Sequence, residues 1–435
     1  MKLPTNVRWR IVALLFAATT INYIDRNVLS FMMIEDSFRK EMLGLMPSAQ
    51  LSKSDIDAFK IQMGYIDSMF KFTYAFGFIF MGWFIDKVGT KHGFGIGIFL
   101  WSIAASLHAF VGSLVGLKWL RAFLGLGEAT NFPASIKTLS EWFPRNERGL
   151  AAGIFNAGAN VGVIITALAV PYITLYYGWR AAFLITGSGG FIVLIAWVLF
   201  YKNTGQHPSI SVEEKTYIQA NFNDKEESVS FTWIQLLGKR QTWAFAIGKF
   251  MADPIWWFYL TWLPDFFNSN EALDQKLNLK TIGFPFLIIY IISDLGSVFF
   301  GWLSTYFLKI GWSLNRARKT TLLLCACCVL PISFAATTHN IYIAVALISL
   351  ATAAHTGWAA NMYTFASDLF PRSAVASVTG IGGMMGSLGG VLFAAAAGII
   401  RVKYGYLPLF IIASTSYIIG FLLIHWVLPI LKPVK

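Results

Sequence analysis

About twelve apolar stretches, each long enough to cross a lipid bilayer, punctuate this sequence from end to end. A hydrocarbon core of about 30 Å takes roughly 20 apolar helical residues to span, and inside it every backbone N–H and C=O must be paired within the segment. The fold this dictates is an all-α integral membrane protein with twelve transmembrane helices. The stretches run near 9–33, 61–85, 92–113, 116–139, 149–174 and 180–202, then near 241–267, 281–307, 320–337, 341–365, 375–400 and 407–430. Between the two sets lies a long polar stretch, Lys202 to Arg240, whose Gly205, Pro208 and run of acids suit a linker with one short surface helix. The expected organisation is an N-terminal six-helix bundle over 1–202, a cytoplasmic linker over 203–240 and a C-terminal six-helix bundle over 241–435.

The formal net charge of +12 invites a nucleic-acid reading, but the basic residues form no single stripe. They gather at alternate ends of the apolar stretches: Lys2, Arg8 and Arg10, then Lys87 and Lys91, Arg145 and Arg148, Lys239 and Arg240, Arg316 to Lys319, Arg372, Lys432 and Lys435. By the positive-inside rule both termini are then cytoplasmic, and no nucleic-acid partner is expected. The first stretch is too long for a cleaved signal and carries charges, so it should remain as a helix. Cys325, Cys327 and Cys328 share one apolar stretch, without a carboxylate or histidine nearby, and predict neither a disulfide framework nor a metal site.

The two sets of six repeat. Ser140 to Arg145 (Ser-Glu-Trp-Phe-Pro-Arg) is matched by Ser367 to Arg372 (Ser-Asp-Leu-Phe-Pro-Arg), an offset of 227 residues. At the same offset Gly153 meets Gly380, Gly162 meets Gly389, Tyr177 and Gly178 meet Tyr404 and Gly405, and Phe183 meets Phe410. Duplicated halves of this kind place a binding site between them at the membrane midplane.

Charges inside the stretches point to chemistry. Asp25 and Arg26 sit side by side in the first, and a charge at that depth costs on the order of 3 kcal/mol. Neighbours on a helix diverge by about 100°, so the two cannot simply face each other and each needs a partner or a wet cavity. Arg121 and Glu128, seven residues apart in the fourth stretch, lie on one helix face, and Gly125 and Gly127 between them would let the first helix approach. We read Arg121 as the charge partner of Asp25 and Glu128 as a second protonatable group. Lys71, with Asp67 four residues earlier, is either neutralised by it or adds a second cation to the cavity. Lys249 and Asp253 repeat that spacing near the expected cytoplasmic end of the seventh stretch, where snorkelling or gating is the simpler role. Asn156, Asn160, Asn361 and Tyr363 offer neutral donors and acceptors for the hydroxyls of a polar solute, or else bond helix to helix. Trp256, Trp257 and Trp358 would stack on a ligand face or line the interface belt. His355 reads more simply as a satisfied buried polar residue than as a proton relay. The glycines Gly93, Gly95 and Gly97 lie inside a helix with no preceding strand, so they serve packing rather than phosphate binding.

The whole chain resembles the major facilitator superfamily. Gly82 to Lys91 (Gly-Trp-Phe-Ile-Asp-Lys-Val-Gly-Thr-Lys) is similar to that family's signature loop, and its copy at Gly301 to Thr305 is degraded, with no acid at the matching place. Asn22, Tyr23, Asp25 and Arg26, Arg121 to Glu128, and Glu141 to Arg148 resemble the anion:cation symporter family; Lys249 to Trp257 and Trp262 to Pro264 resemble its hexuronate-transporter branch. The resemblance implies a monomeric bacterial inner-membrane symporter that imports a sugar-acid anion with protons by alternating access and needs no cofactor. It gives Arg26 the substrate carboxylate, with Tyr23, Lys71 and Tyr74 beside it, and gives Asp25 a proton-linked role with Arg121 and Glu128. Asp86, Glu141, Arg145 and Arg148 become gating residues. The rival expectations are another organic anion, an aldonate or aldarate, and a non-transporting sensor; no catalytic constellation supports an enzyme.

Overall fold

The structure, a computed structural model, describes residues 6–220, 231–370 and 372–434, apart from a few side chains that include those of Asp86, Arg145 and Arg148. Those three expected gating side chains, and residues 221–230 of the expected linker, thus lie outside the described residues. No strand occurs among the described residues. The first half comprises α1 (Val7–Met32), α2 (Asp36–Met42), α3 (Lys53–Val88), α4 (Thr90–Leu107), α5 (Leu114–Glu128), α6 (Asn131–Trp142), α7 (Arg145–Tyr177) and α8 (Trp179–Phe200). Two short helices, α9 (Val212–Ala220) and α10 (Trp233–Leu237), fall in the polar stretch, where one was expected. The second half is α11 (Arg240–Ser269), α12 (Gly283–Lys309), α13 (Leu314–Val329), α14 (Ile341–Leu369), α15 (Arg372–Tyr404) and α16 (Leu407–Val427).

Among the described residues, ten helices are long and apolar enough to span a membrane. The two expected spans outside that set have identifiable reasons. The fourth is broken at Ala129 and Thr130 into α5 and α6, of 15 and 12 residues. The seventh, α11, is long enough at 30 residues but carries Lys249, Asp253 and Asp265 along its length. The outer faces carry exposed Ile192, Leu199, Val298 and Leu422, whereas Asp25, Arg26, Arg121 and Glu128 are buried, the inverse of a soluble protein.

The duplication is visible in the corners. Gly178 (φ 81°) joins α7 to α8 and Gly405 (φ 75°) joins α15 to α16, at the repeat offset; Gly89 (φ 83°) and Gly311 (φ 91°) turn the chain after α3 and α12. Each is a left-handed position that a side chain would strain.

By contact the chain forms two compact units, Met1–Leu29 with Phe72–Glu226, and Ser30–Lys71 with Glu227–Lys435. In the first, α4 packs on α8 and α5, and α7 closes on α1, where a Cβ on Gly158 or Gly162 would sit 2.6 Å from the Phe16 carbonyl oxygen or 2.5 Å from that of Thr20. Gly127 serves a different neighbour from the one expected: a Cβ there would meet the backbone of Trp101 on α4 at 2.8 Å, so it seats α5 on α4 rather than on α1. In the second unit α11 packs on α15 and α16, and α12 on α14.

Candidate transport site

Within the first unit α1 presents its adjacent charges in different directions, as helix geometry requires. Arg26, 7% exposed, turns to α5, and its Nε donates to Glu128 Oε2 at 2.7 Å. Its Nη2 donates to Asn22 Oδ1, one turn back, at 3.4 Å. The guanidinium lies 4.6 Å from the ring centroid of Tyr23 and 4.8 Å from that of Tyr74, close enough for its charge to be attracted to both rings. Glu128 is fully buried, and its second oxygen, Oε1, accepts no hydrogen bond.

Asp25 points elsewhere, beside Thr186 of α8. It is 2% exposed, and neither carboxyl oxygen has a hydrogen-bond partner. The expected Asp25–Arg121 ion pair is not formed. Arg121 Nη1 instead donates to the backbone carbonyl of Arg26 at 3.2 Å, supporting that turn of α1 rather than the acid. The reason is rotational: Asp25 faces α8 while Arg121 and Glu128 share the α5 face that meets Arg26. On α7, Asn156 is exposed and Asn160 half-buried.

The second unit holds the remaining candidates. Lys71 is 1% exposed; its Nζ bonds Asp67 Oδ2 at 2.5 Å and lies 5.2 Å from the Trp257 ring, the neutralised arrangement of the two foreseen. Asn361 donates to the carbonyls of Gly357 at 2.9 Å and Phe300 at 3.3 Å, so its amide joins α14 to α12. Tyr363 is 45% exposed and its hydroxyl lies 3.5 Å from Lys249 Nζ. Lys249 does not snorkel at a helix end: it is 7% exposed, pairs with Asp253 at 2.9 Å, and Asp253 stands near the middle of α11. His355 bonds the Tyr417 hydroxyl at 2.6 Å and stacks on Trp256 at 4.8 Å, which satisfies it locally. Trp358 is wholly buried, donating to the Gly248 carbonyl at 3.4 Å.

Of the expected gating set, Glu141 accepts from the hydroxyls of Thr90 and Tyr201, both at 2.8 Å. Burial and the Glu141 carboxylate push the Tyr201 phenol well above its usual range, so it remains a donor. Two ion clusters were not foreseen. Arg8 bridges Glu147 at 2.8 Å and Glu214 at 2.9 Å, fastening α9 to the start of α1. Asp265 gathers Arg39, Lys60 and Arg401 about itself. The signal for the second was an unassigned carboxylate inside an apolar stretch, just after Pro264.

Long apolar helices that bury a paired guanidinium and carboxylate away from water have the architecture of an integral membrane protein. A family model for the Major Facilitator Superfamily matches residues 15–394, and the chain belongs to that superfamily. It is 29% identical over 433 residues to the hexuronate transporter of Escherichia coli K12, covering 98% of this chain and 95% of that one. It is 27% identical to the D-galactonate transporter of E. coli O6:H1 (96% and 94% covered) and 31% identical to a probable galactarate/D-glucarate transporter of E. coli K12 (74% and 71%). Among solved structures, the inward-open xylose transporter XylE of E. coli superposes with a TM-score of 0.72 at 14% identity, each chain covered to 97%. A bacterial homologue of the human lysosomal transporter Spinster, inward-facing and occupied, gives 0.71 at 15%, again with 97% of each chain covered. At these identities the two structures bear on the fold alone.

Proposed function

We propose that the chain is a proton-coupled symporter that imports a sugar-acid anion, a hexuronate above all, by alternating access, from a bacterial inner membrane with both termini in the cytoplasm. The observation that carries the reading is the setting of Arg26: a buried guanidinium against the rings of Tyr23 and Tyr74, with its charge answered by Glu128 at 2.7 Å. A guanidinium fork suits a carboxylate, which it can bond through two N–H groups. A substrate carboxylate that takes that fork displaces Glu128. An ionised Glu128 left without Arg26 in a low dielectric is costly, whereas a protonated one is not. Substrate and proton therefore enter the site together, which is symport. Asp25, with no donor on either oxygen, is a second place suited to hold a proton. Arg121 steadies the Arg26 backbone, and Asn156 and Asn160 of α7 supply hydroxyl partners.

The relatives' substrates support the class, since the proteins named above are described as transporters of hexuronate, galactonate and galactarate/glucarate. That spread favours a second reading, in which the substrate is an aldonate or aldarate. Lys71 is already paired with Asp67 and is not a spare cation for a second carboxylate, which favours the monoanion.

Uptake of radiolabelled sugar acids into membrane vesicles, with and without an inward proton gradient, tests the reading. Glucuronate and galacturonate should accumulate only with the gradient and compete with each other. Aldonates and aldarates should compete less, and glucose not at all. Equal competition by glucose refutes the anion reading; stronger competition by an aldarate transfers the protein to the second one.

A further inference from the structure

The structure assigns to Asp265 a role at the end of the helices remote from the termini: we propose that it is the centre of an ion-pair latch that must open in every transport cycle. Asp265 lies in the last turns of α11 and is fully buried. Lys60 Nζ lies 3.0 Å from its Oδ1, Arg401 Nε 3.6 Å from its Oδ2 and Arg39 Nη2 3.8 Å from its Oδ1. The Tyr406 hydroxyl also donates to Oδ2, and Ser269 Oγ does so at 3.1 Å. Ser269 Oγ in turn accepts from Lys60 and from Arg401, each at 3.0 Å. Residues at 39, 60, 265, 269, 401 and 406 are thereby tied into one knot.

The charges close. Arg39 is answered a second time by Asp36 at 3.0 Å, and Asp57 is the further acid beside Arg401. Three bases face three acids, so the knot has no surplus cation with which to hold a substrate anion. Its members come from both halves of the sequence: Arg39 and Lys60 from α2 and α3, Asp265 and Arg401 from α11 and α15. The backbones beneath are brought close for it. A Cβ on Gly64 of α3 would sit 2.8 Å from the Ala394 carbonyl oxygen, and one on Gly398 of α15 would sit 2.6 Å from that of Lys60. A buried ion pair is a poor source of net stability compared with apolar packing, but it is sensitive to geometry and is either made or broken. It therefore suits a contact that has two states better than one that only holds the fold. Opening it would free α2 and the outer part of α3 from α11 and α15, which is the release a substrate needs in order to enter from that end. This inference rests on the transport reading above.

The test reads access rather than transport. Ser68 of α3 lies two turns from Lys60 and donates to the Val391 carbonyl of α15 at 3.0 Å, in the same helix contact. In a background with Cys325, Cys327 and Cys328 replaced by serine, Ser68→Cys is labelled in intact cells by a membrane-impermeant maleimide added outside. Asp265→Asn should raise the labelling rate about tenfold, the scale expected for one buried charge-assisted contact. Lys60→Met should do likewise, and Arg401→Gln, whose contact is longer and more exposed, should do less. Asp265→Glu keeps the charge and should keep the parent rate. A rate within about twofold of the parent for Asp265→Asn, in protein that purifies as a single species, overturns the latch, and so does an equal rise in Asp265→Glu. Labelling needs no substrate, so the two readings fail separately: faster labelling without uptake of any sugar acid refutes only the transport reading, and uptake with unchanged labelling refutes only the latch.

Discussion

Replacing Arg26 by lysine keeps the charge and removes the plane. In the structure the guanidinium makes one hydrogen bond to Glu128 at 2.7 Å, a longer one to Asn22 at 3.4 Å, and lies against two tyrosine rings at 4.6 and 4.8 Å. An ammonium can keep one strong bond and part of the ring attraction, but it cannot present two parallel N–H groups to a carboxylate. The variant should therefore lose about one charge-assisted hydrogen bond to the substrate, roughly 1.5–3 kcal/mol, or about a 10- to 150-fold rise in Kd. Calorimetric titration of the purified variant with glucuronate and galacturonate measures this directly, and its thermal unfolding in the same detergent shows whether the fold survives. The Tyr23 and Tyr74 rings should still cover the shorter head group, so unfolding should shift by only a few degrees. A Kd within about twofold of the parent's, in folded protein, would remove Arg26 from the substrate site and with it the mechanism.

Asp25→Asn should abolish accumulation against a gradient while leaving substrate counterflow, because the amide cannot carry a proton; a variant that still concentrates substrate would sink the coupling role of Asp25. Glu128→Gln removes the carboxylate that competes for Arg26, so substrate binding, measured calorimetrically from about pH 5 to about pH 8, should lose the pH dependence that the parent shows; a profile parallel to the parent's would count against the displacement step. Tyr201→Phe deletes a 2.8 Å hydrogen bond to Glu141 and should cost about 1–3 kcal/mol. Since the phenol's folded-state range is raised above the usual one near about pH 10, that loss should be the same at about pH 6 and about pH 9 in thermal unfolding. A loss confined to the higher pH would contradict it.

Much of the protein was legible in the sequence because the relevant physics is local. Whether a segment crosses a membrane depends on its own length and apolarity, so the spans, the repeat and the superfamily could be read without a partner in view. The rarity of charge in hydrocarbon likewise marked Asp25, Arg26, Arg121 and Glu128 one residue at a time. The pairing of these charges was not legible. Arg26 and Glu128 are 102 residues apart, and the choice of Glu128 for Arg26, with the Arg26 carbonyl for Arg121 and no donor for Asp25, follows from how α1 is rotated against α5 and α8. The burial of Lys249 was likewise a matter of packing: α11 begins within one residue of the expected start, but Tyr363 of α14 comes to lie beside the Lys249 ammonium. The Asp265 knot draws on five stretches of chain spread from Arg39 to Tyr406. Segment character is a sum over neighbours in sequence, whereas an ion pair is a matter of rotation, tilt and depth between helices, and those are set only when the helices pack.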